Sequence, residues 1–300
     1  MKRLICAFAL LILISSCGSN RKSAEQALLD QVDSTSLTDT GISEEVISDI
    51  IQQIPSPLEI SVLLKEVGTE YDNDILNAAS NTSKYNSNYK RALNLGIYGT
   101  DLGYTNIYSQ NQDALFYLKS IRDLADGLSI GQFFDFGTIS RLATNSNNLD
   151  SLLLITTQNF NKINSYLQEQ KRSNLSVLLL AGGWLEALHI SCQVNEMNGG
   201  NAELVEKIGE QKIILENIML LLSFYSETDP SISKLMENFT ELKDVYDQVE
   251  ITYTYEDPTY EVVDGVLTIV DNSSSSINIT DQNINDITRI TASIREKVIN

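Results

Sequence analysis

Apolar residues recur at helical spacing along most of this 300-residue chain. Their spacing predicts helices over 43–54, 88–110, 112–128, 131–143, 148–172, 175–197, 202–225 and 231–248. Ser43 is positioned to cap the first helix and Pro55 to end it, and 56–59 has the Ser, Pro and Glu of a second helix start. The joints between later helices are short and polar, which places sequence neighbours antiparallel. The predicted fold class is therefore all-α, either a multi-helix bundle or a solenoid-like stack.

The pattern changes after the eighth of these helices, where apolar and polar positions alternate. Ile251, Tyr253 and Tyr255 alternate with threonines, and Asp264-Gly265 is typical of a tight turn between two β-branched runs. With 277–279 as a further strand, this segment predicts a small C-terminal β-hairpin or meander. A final helix follows, and we expect its apolar face to pack back on the body. That face consists of Ile284, Ile287, Ile290, Ile294 and Val298.

The most apolar stretch of the helical region is 174–194, where Glu186, His189 and Cys192 are the only ionisable side chains. His189 is also the only histidine of the sequence. A helix that is apolar all round must be buried, so this stretch is predicted to form the centre of the core. Cys192 is interpreted as a small buried apolar residue.

The N-terminus has the features of a secretory signal: two basic residues, an apolar run over 4–14 and small residues before Cys17. The sequence Ile14-Ser15-Ser16-Cys17 resembles the lipobox of bacterial lipoproteins. That resemblance implies cleavage before Cys17 and acylation of this residue, for example with palmitate. Gly18 replaces the Asp that often retains such proteins in the inner membrane, which implies an outer-membrane destination. The alternatives are an ordinary signal peptide or an uncleaved anchor.

The predicted organisation has five parts. They are a signal peptide over 1–16, a lipidated cysteine with a polar tether over 17–42, a helical domain over 43–248, a β excursion over 249–279 and a C-terminal helix over 280–300.

Net charge limits the partners of the mature chain. Without the two basic residues of the signal, 19 basic residues face 40 acidic ones, a net charge of −21. Nucleic acids and anionic headgroups repel such a chain, so we expect no nucleic-acid partner and a membrane attachment through acyl chains. The expected location is the cell envelope at the outer membrane, with the periplasmic face preferred over the cell surface.

Two apolar helical stretches, 93–104 and 178–189, resemble each other. Each has small residues in its middle and then a lone carboxylate, Asp101 or Glu186. We interpret the pair as a weak internal repeat, with chance similarity of two buried helices as the alternative.

Gly96, Gly99 and Gly103 fall on one helical face, where each costs up to about 1 kcal/mol relative to Ala. Close approach of another backbone explains them best, with Gly182 and Gly183 as the small residues on the facing helix. The alternative is room for a ligand beside this face. Its predicted walls are Tyr98, Tyr104, Tyr108 and Trp184.

Asp101 and Glu186 are each followed three residues later by a potential donor, Tyr104 or His189. Because lone buried charges are costly, these four residues are predicted to form one buried polar cluster. Its alternative is a mononuclear metal site of Asp101, Glu186 and His189, since Glu-x-x-His places two ligands on one helix face. No nucleophile elbow or phosphate-binding glycine loop is present, so we predict no cofactor and favour a non-enzymatic role.

Three segments look like segments shared by a family of uncharacterised helical bacterial lipoproteins: IPSPLE at 54–59, ALNLGIYGTDLGY at 92–104 and LAGGWLE at 180–186. The resemblance implies that 54–194 form one unit, and it implies no activity. The predicted role is a lipid-anchored envelope protein that binds or scaffolds without catalysis, with another envelope protein as a candidate partner. The alternative is a small-molecule or metal-binding protein, enzymatic or not, that uses the cluster around Asp101 and Glu186.

Overall fold

The computed structural model describes residues 43–56, 64, 69–144, 149–263, 266–270, 272 and 274–300. These residues are mainly helical, which confirms the predicted fold class. The helices are α1 Glu44–Gln53, α2 Asn88–Ile107, α3 Asn111–Gly127, α4 Phe136–Ala143, α5 Leu149–Glu169, α6 Ser173–Met197, α7 Ala202–Ser226, α8 Pro230–Tyr246 and α9 Asp281–Ile299. The strands are β1 Glu250–Thr254, β2 Thr259–Val263, β3 Val266–Val270 and β4 Ser274–Asn278.

Several features predicted from the sequence lie outside these residues. They are the signal peptide, Cys17, the tether, most of the helix predicted to begin at 56–59, and the Asp264-Gly265 turn.

Side chains cap the first turns of several helices. The Ser43 side chain accepts a hydrogen bond from the Val46 amide, so the predicted cap of α1 is present. Asp229 caps α8 with Pro230 in its first turn, and Thr280 forms a capping box with Asn283 at the start of α9.

The single helix predicted over 131–143 is wrong. A short 3-10 turn, Gly131–Phe133, is followed by an extended residue at Phe134, and α4 begins only at Phe136. The break has a local cause, because the Asp135 carboxylate accepts hydrogen bonds from both the amide and the hydroxyl of Thr138. A capping residue in the middle of an apolar pattern starts a separate helix after the break.

Helices α2 and α6 form the centre of the body, and glycines let their backbones touch. A Cβ atom at Gly96 would lie 2.0 Å from the Leu179 carbonyl oxygen, and one at Gly182 would lie 2.0 Å from the Leu93 carbonyl oxygen. Of the described helices, α6 has the length and apolarity of a membrane span, but 94% of its most apolar stretch of 18 residues is buried within the protein. Cys192 on α6 is buried, and burial raises the pKa of its thiol to about 12.

The strands form two nested antiparallel pairs. β1 pairs with β4, and β2 pairs with β3. The hairpin expectation holds for β2 and β3, but a meander would have paired β1 with β2 and is wrong. Ile277 of β4 lies over Gly209 of α7, which attaches the base of this excursion to the body. Helix α9 then packs on α6 and α8, as the apolar stripe required.

Candidate functional site

Three helices bring ionisable side chains together in the core. Asp101 of α2 and Glu186 of α6 are fully buried, and Arg295 of α9 is 7% exposed. The Arg295 Nε and Nη2 atoms donate hydrogen bonds of 2.6 Å to the two carboxylate oxygens of Glu186. This two-pronged geometry is the strongest form of a carboxylate–guanidinium pair.

The two carboxyl groups differ in protonation. Burial alone would raise the pKa of Glu186, but the charge and hydrogen bonds of Arg295 outweigh it and lower that pKa. Burial, and next the negative charge of Glu186, raise the pKa of Asp101 well above its ordinary value. Asp101 also faces the Glu186 side chain and the Asn77 backbone, and its hydrogen bond with the Glu186 carboxylate favours the protonated form of Asp101. The pairing with Arg295 therefore favours the charged form of Glu186, whereas burial favours the neutral form of Asp101.

His189 lies one helical turn beyond Glu186 and is 7% exposed. Its Nε2 atom is 3.2 Å from the Ile75 carbonyl oxygen, which fixes Nε2 as the protonated nitrogen, and Nδ1 has no partner among the described residues. Burial lowers the pKa of His189 to about 4. His189 is thus a neutral neighbour of the ion pair, and it makes no hydrogen bond to Glu186.

Tyr104 does not join the group around Glu186. Its hydroxyl accepts a 3.4 Å hydrogen bond from the Asp72 amide, and its ring lies 4.8 Å from that of Tyr108 and 5.5 Å from that of Tyr71. The hydrogen bond that helical spacing suggested between Tyr104 and Asp101 is not formed.

Sequence reasoning did not identify Arg295. Its position, eight residues after Ile287 and four after the buried Thr291, is on the face of α9 that packs inward. A cation on the inward face of one helix and an isolated carboxylate in another apolar helix together predict a buried ion pair.

The metal hypothesis gains no support from this arrangement. Across the described residues, no group of three or more His, Cys, Asp or Glu side chains is placed to hold a metal ion. Both oxygens of Glu186 already accept hydrogen bonds from Arg295.

A separate cavity of about 340 Å³ lies on the other side of α2, beside Gly99. Its walls include buried apolar side chains from α1 to α6, and Gly96, Gly99 and Gly183 also line it. A Cβ atom at Gly99 would have no heavy atom of the protein within 4 Å. The buried apolar lining residues are Ile51, Ile54, Leu95, Leu102, Ile121, Ile139, Leu152, Ile163 and Leu180.

The cavity has a polar edge and no charge among its described lining residues. Gln52 of α1 and Thr157 and Asn161 of α5 line it and are exposed, which puts its mouth between these two helices. The hydroxyl of Thr100 is engaged within the helix pair, where it donates to the Gly183 carbonyl at 3.1 Å and lies 3.3 Å from the Gly96 carbonyl.

The glycine face therefore has two roles. Gly96 meets the backbone of α6, whereas Gly99, one turn further, borders open space. The predicted aromatic walls lie elsewhere: none of Tyr98, Tyr104, Tyr108 and Trp184 is among the described lining residues. Trp184 instead donates to Gln211 and packs edge-on against Phe239 at 5.7 Å.

Comparisons with known proteins give no family for this chain. No family model, no curated protein and no solved structure matches it.

Proposed function

We propose that this chain is a non-catalytic binding protein that holds a small, uncharged and mainly apolar molecule in the cavity beside Gly99. The observation that carries the proposal is the cavity itself. Its volume of about 340 Å³ is within the range of small-molecule pockets, about 300–1,000 Å³. Protein cores are otherwise close-packed, so a space of this size next to a helical glycine requires a reason.

The lining indicates the class of ligand. Apolar walls favour an apolar body, and burying a charge there would be costly because no charged side chain is present among the described lining residues. Exposed amide and hydroxyl groups of Gln52, Thr157 and Asn161 suit one polar end of the ligand at the mouth. An elongated molecule with an apolar tail and a neutral polar head fits both features.

The polar cluster supports a structural rather than a catalytic role. Asp101, Glu186 and His189 do not line the cavity among its described residues, and Glu186 is held by Arg295. A bound apolar molecule would meet no acid, base or nucleophile from this cluster. The lipobox resemblance extends the proposal to a lipid-anchored protein of the cell envelope, where apolar molecules must cross an aqueous space.

Fluorescence titration with N-phenyl-1-naphthylamine, an uncharged probe that brightens in apolar surroundings, tests the proposal. Gly99→Leu places a side chain in the cavity, and Gly137→Leu is the matched control because Gly137 is an exposed helical glycine outside it. Wild type and the control should bind the probe saturably, and Gly99→Leu should lose binding without a fall in its melting temperature. Equal binding by all three proteins would refute the proposal.

A further inference from the structure

The second notable surface is the nested strand excursion over 250–278, here named the ribbon. Its four large apolar or aromatic side chains Tyr253, Tyr255, Tyr260 and Ile269 are 64–66% exposed. They are the most exposed large hydrophobic side chains of the described residues. Such a concentration on one small element marks an interaction surface.

The strand register shows which residues lie opposite these exposed side chains. Tyr253 lies opposite Ser275, whose small side chain cannot cover an aromatic ring. Tyr260 lies opposite Ile269 in the second pair, so two exposed apolar side chains are adjacent there. The Asn272 side chain donates to the Asp257 carbonyl at 2.8 Å and joins the two strand pairs at their junction.

The ribbon also has free backbone edges. Among the described residues β1 pairs only with β4, and β2 only with β3, so each strand has one side without a strand partner. Two-stranded sheets are marginally stable in water, and their free edges accept an added strand. An extended peptide is therefore the shape of partner that this surface fits.

Charge identifies the chemistry of that partner. The sequence 250–278 contains six acidic residues and no Lys or Arg: Glu250, Glu256, Asp257, Glu261, Asp264 and Asp271. Exposed tyrosine rings attract Lys and Arg cations through their faces. A second copy of the chain would bring together two acidic ribbons on molecules of net charge −19, and an anionic membrane would be repelled as well.

We propose that the ribbon docks an extended, Lys- and Arg-rich segment of another protein, which adds as a strand and places its cations on the exposed tyrosines. This surface is independent of the cavity beside Gly99.

Calorimetric titration of the full-length protein with a peptide of alternating Lys and Thr tests the proposal, with a Glu and Thr peptide as the charge control. Tyr253→Ser combined with Tyr260→Ser removes two rings. Phe116→Ser combined with Leu154→Ser removes two exposed apolar side chains elsewhere and is the matched control. The basic peptide should bind, slow amide exchange in the ribbon, and lose about tenfold in affinity only with the tyrosine variant.

Three results would overturn the proposal. The first is no binding of the basic peptide, or equal binding of the acidic one. The second is an unchanged affinity in the tyrosine variant. The third is a different occupant: a wild-type dimer that the tyrosine variant dissociates would assign a second copy, and phosphatidylglycerol vesicles that bind wild type but not the variant would assign a membrane.

Discussion

Arg295 and Glu186 form a two-pronged ion pair between helices α9 and α6, 109 positions apart in the sequence. The pair is buried, so its formation costs desolvation that its attraction and hydrogen bonds must offset. Its consequence is specificity of packing, because α9 can satisfy the charge of Glu186 only in the position that brings Arg295 to it. We infer that the pair fixes how the C-terminal helix returns to the core.

Removing one partner of this pair should strongly destabilise the protein. Glu186→Gln and Arg295→Met should each lower the free energy of unfolding by about 3–5 kcal/mol, because each leaves an unpaired buried group. The double variant should lose much less than the sum of the two. Denaturant unfolding of the three variants measures this coupling.

The exposed pair Asp286–Arg289 on the same helix is the matched control, since surface ion pairs contribute little. Asp286→Asn should leave the unfolding midpoint nearly unchanged. If Glu186→Gln behaved like this control, the buried pair would not be what holds α9.

Asp101 should make the protein less stable as pH rises. Burial and the charge of Glu186 raise its pKa in the folded state. The stabilising contribution of the bound proton is therefore complete below the unfolded pKa of about 3.9 and is lost as pH rises toward the folded pKa. Asp101→Asn imitates the protonated acid and should remove this slope. Unfolding free energies from pH 4 to pH 8 compare the two proteins, and identical slopes would show that Asp101 ionises freely.

His189 should produce the opposite slope. Its pKa is about 4 in the folded protein against an ordinary 6.5. The unfolded chain thus takes up a proton first, and stability present above pH 6.5 is lost by about 3 kcal/mol as pH falls to 4. His189→Gln can keep a donor to the Ile75 carbonyl and should flatten this loss. Measuring the free energy of unfolding against pH in the Asp101→Asn background separates the two slopes. If the double variant still lost stability as pH falls, the loss would belong to a group other than His189.

Two glycines one turn apart should respond oppositely to alanine. Gly96→Ala forces a Cβ atom against the backbone of α6 and should cost about 2 kcal/mol or more. Gly99→Ala meets open space and should stabilise by up to about 1 kcal/mol through helix propensity. Thermal melts of both variants decide this, and a similar loss in both would mean that the cavity is closed in solution.

The sequence predicted what depends on local pattern. Helix ends followed from caps such as Ser43, and the burial of α6 followed from its uninterrupted apolar composition. The break before α4 was missed because the cap at Asp135 lies inside a pattern that continues through it. The strand order was missed because the pairing of β1 with β4 is set by the path of the chain rather than by any residue of β1.

The residues of the candidate site could likewise be predicted only where they depend on local sequence. Isolation among apolar residues singled out Asp101 and Glu186, which are both buried. Helical spacing suggested Tyr104 as a partner three residues on, but tertiary packing turned its hydroxyl toward Asp72. The charge partner, Arg295, comes from a helix more than one hundred positions away. The cavity beside Gly99 depends on how the six helices α1 to α6 leave space between them, which composition does not encode.

The position of a bound apolar probe tests the ligand-binding proposal most directly. Nuclear Overhauser effects between the aromatic protons of N-phenyl-1-naphthylamine and protein methyl groups report which residues surround it. The cavity predicts effects to the methyl groups of Leu95, Ile121 and Leu152, which line its buried walls. Effects confined to surface residues such as Leu154 or Ile269, or no effects with a saturating probe, would contradict a binding function for this cavity.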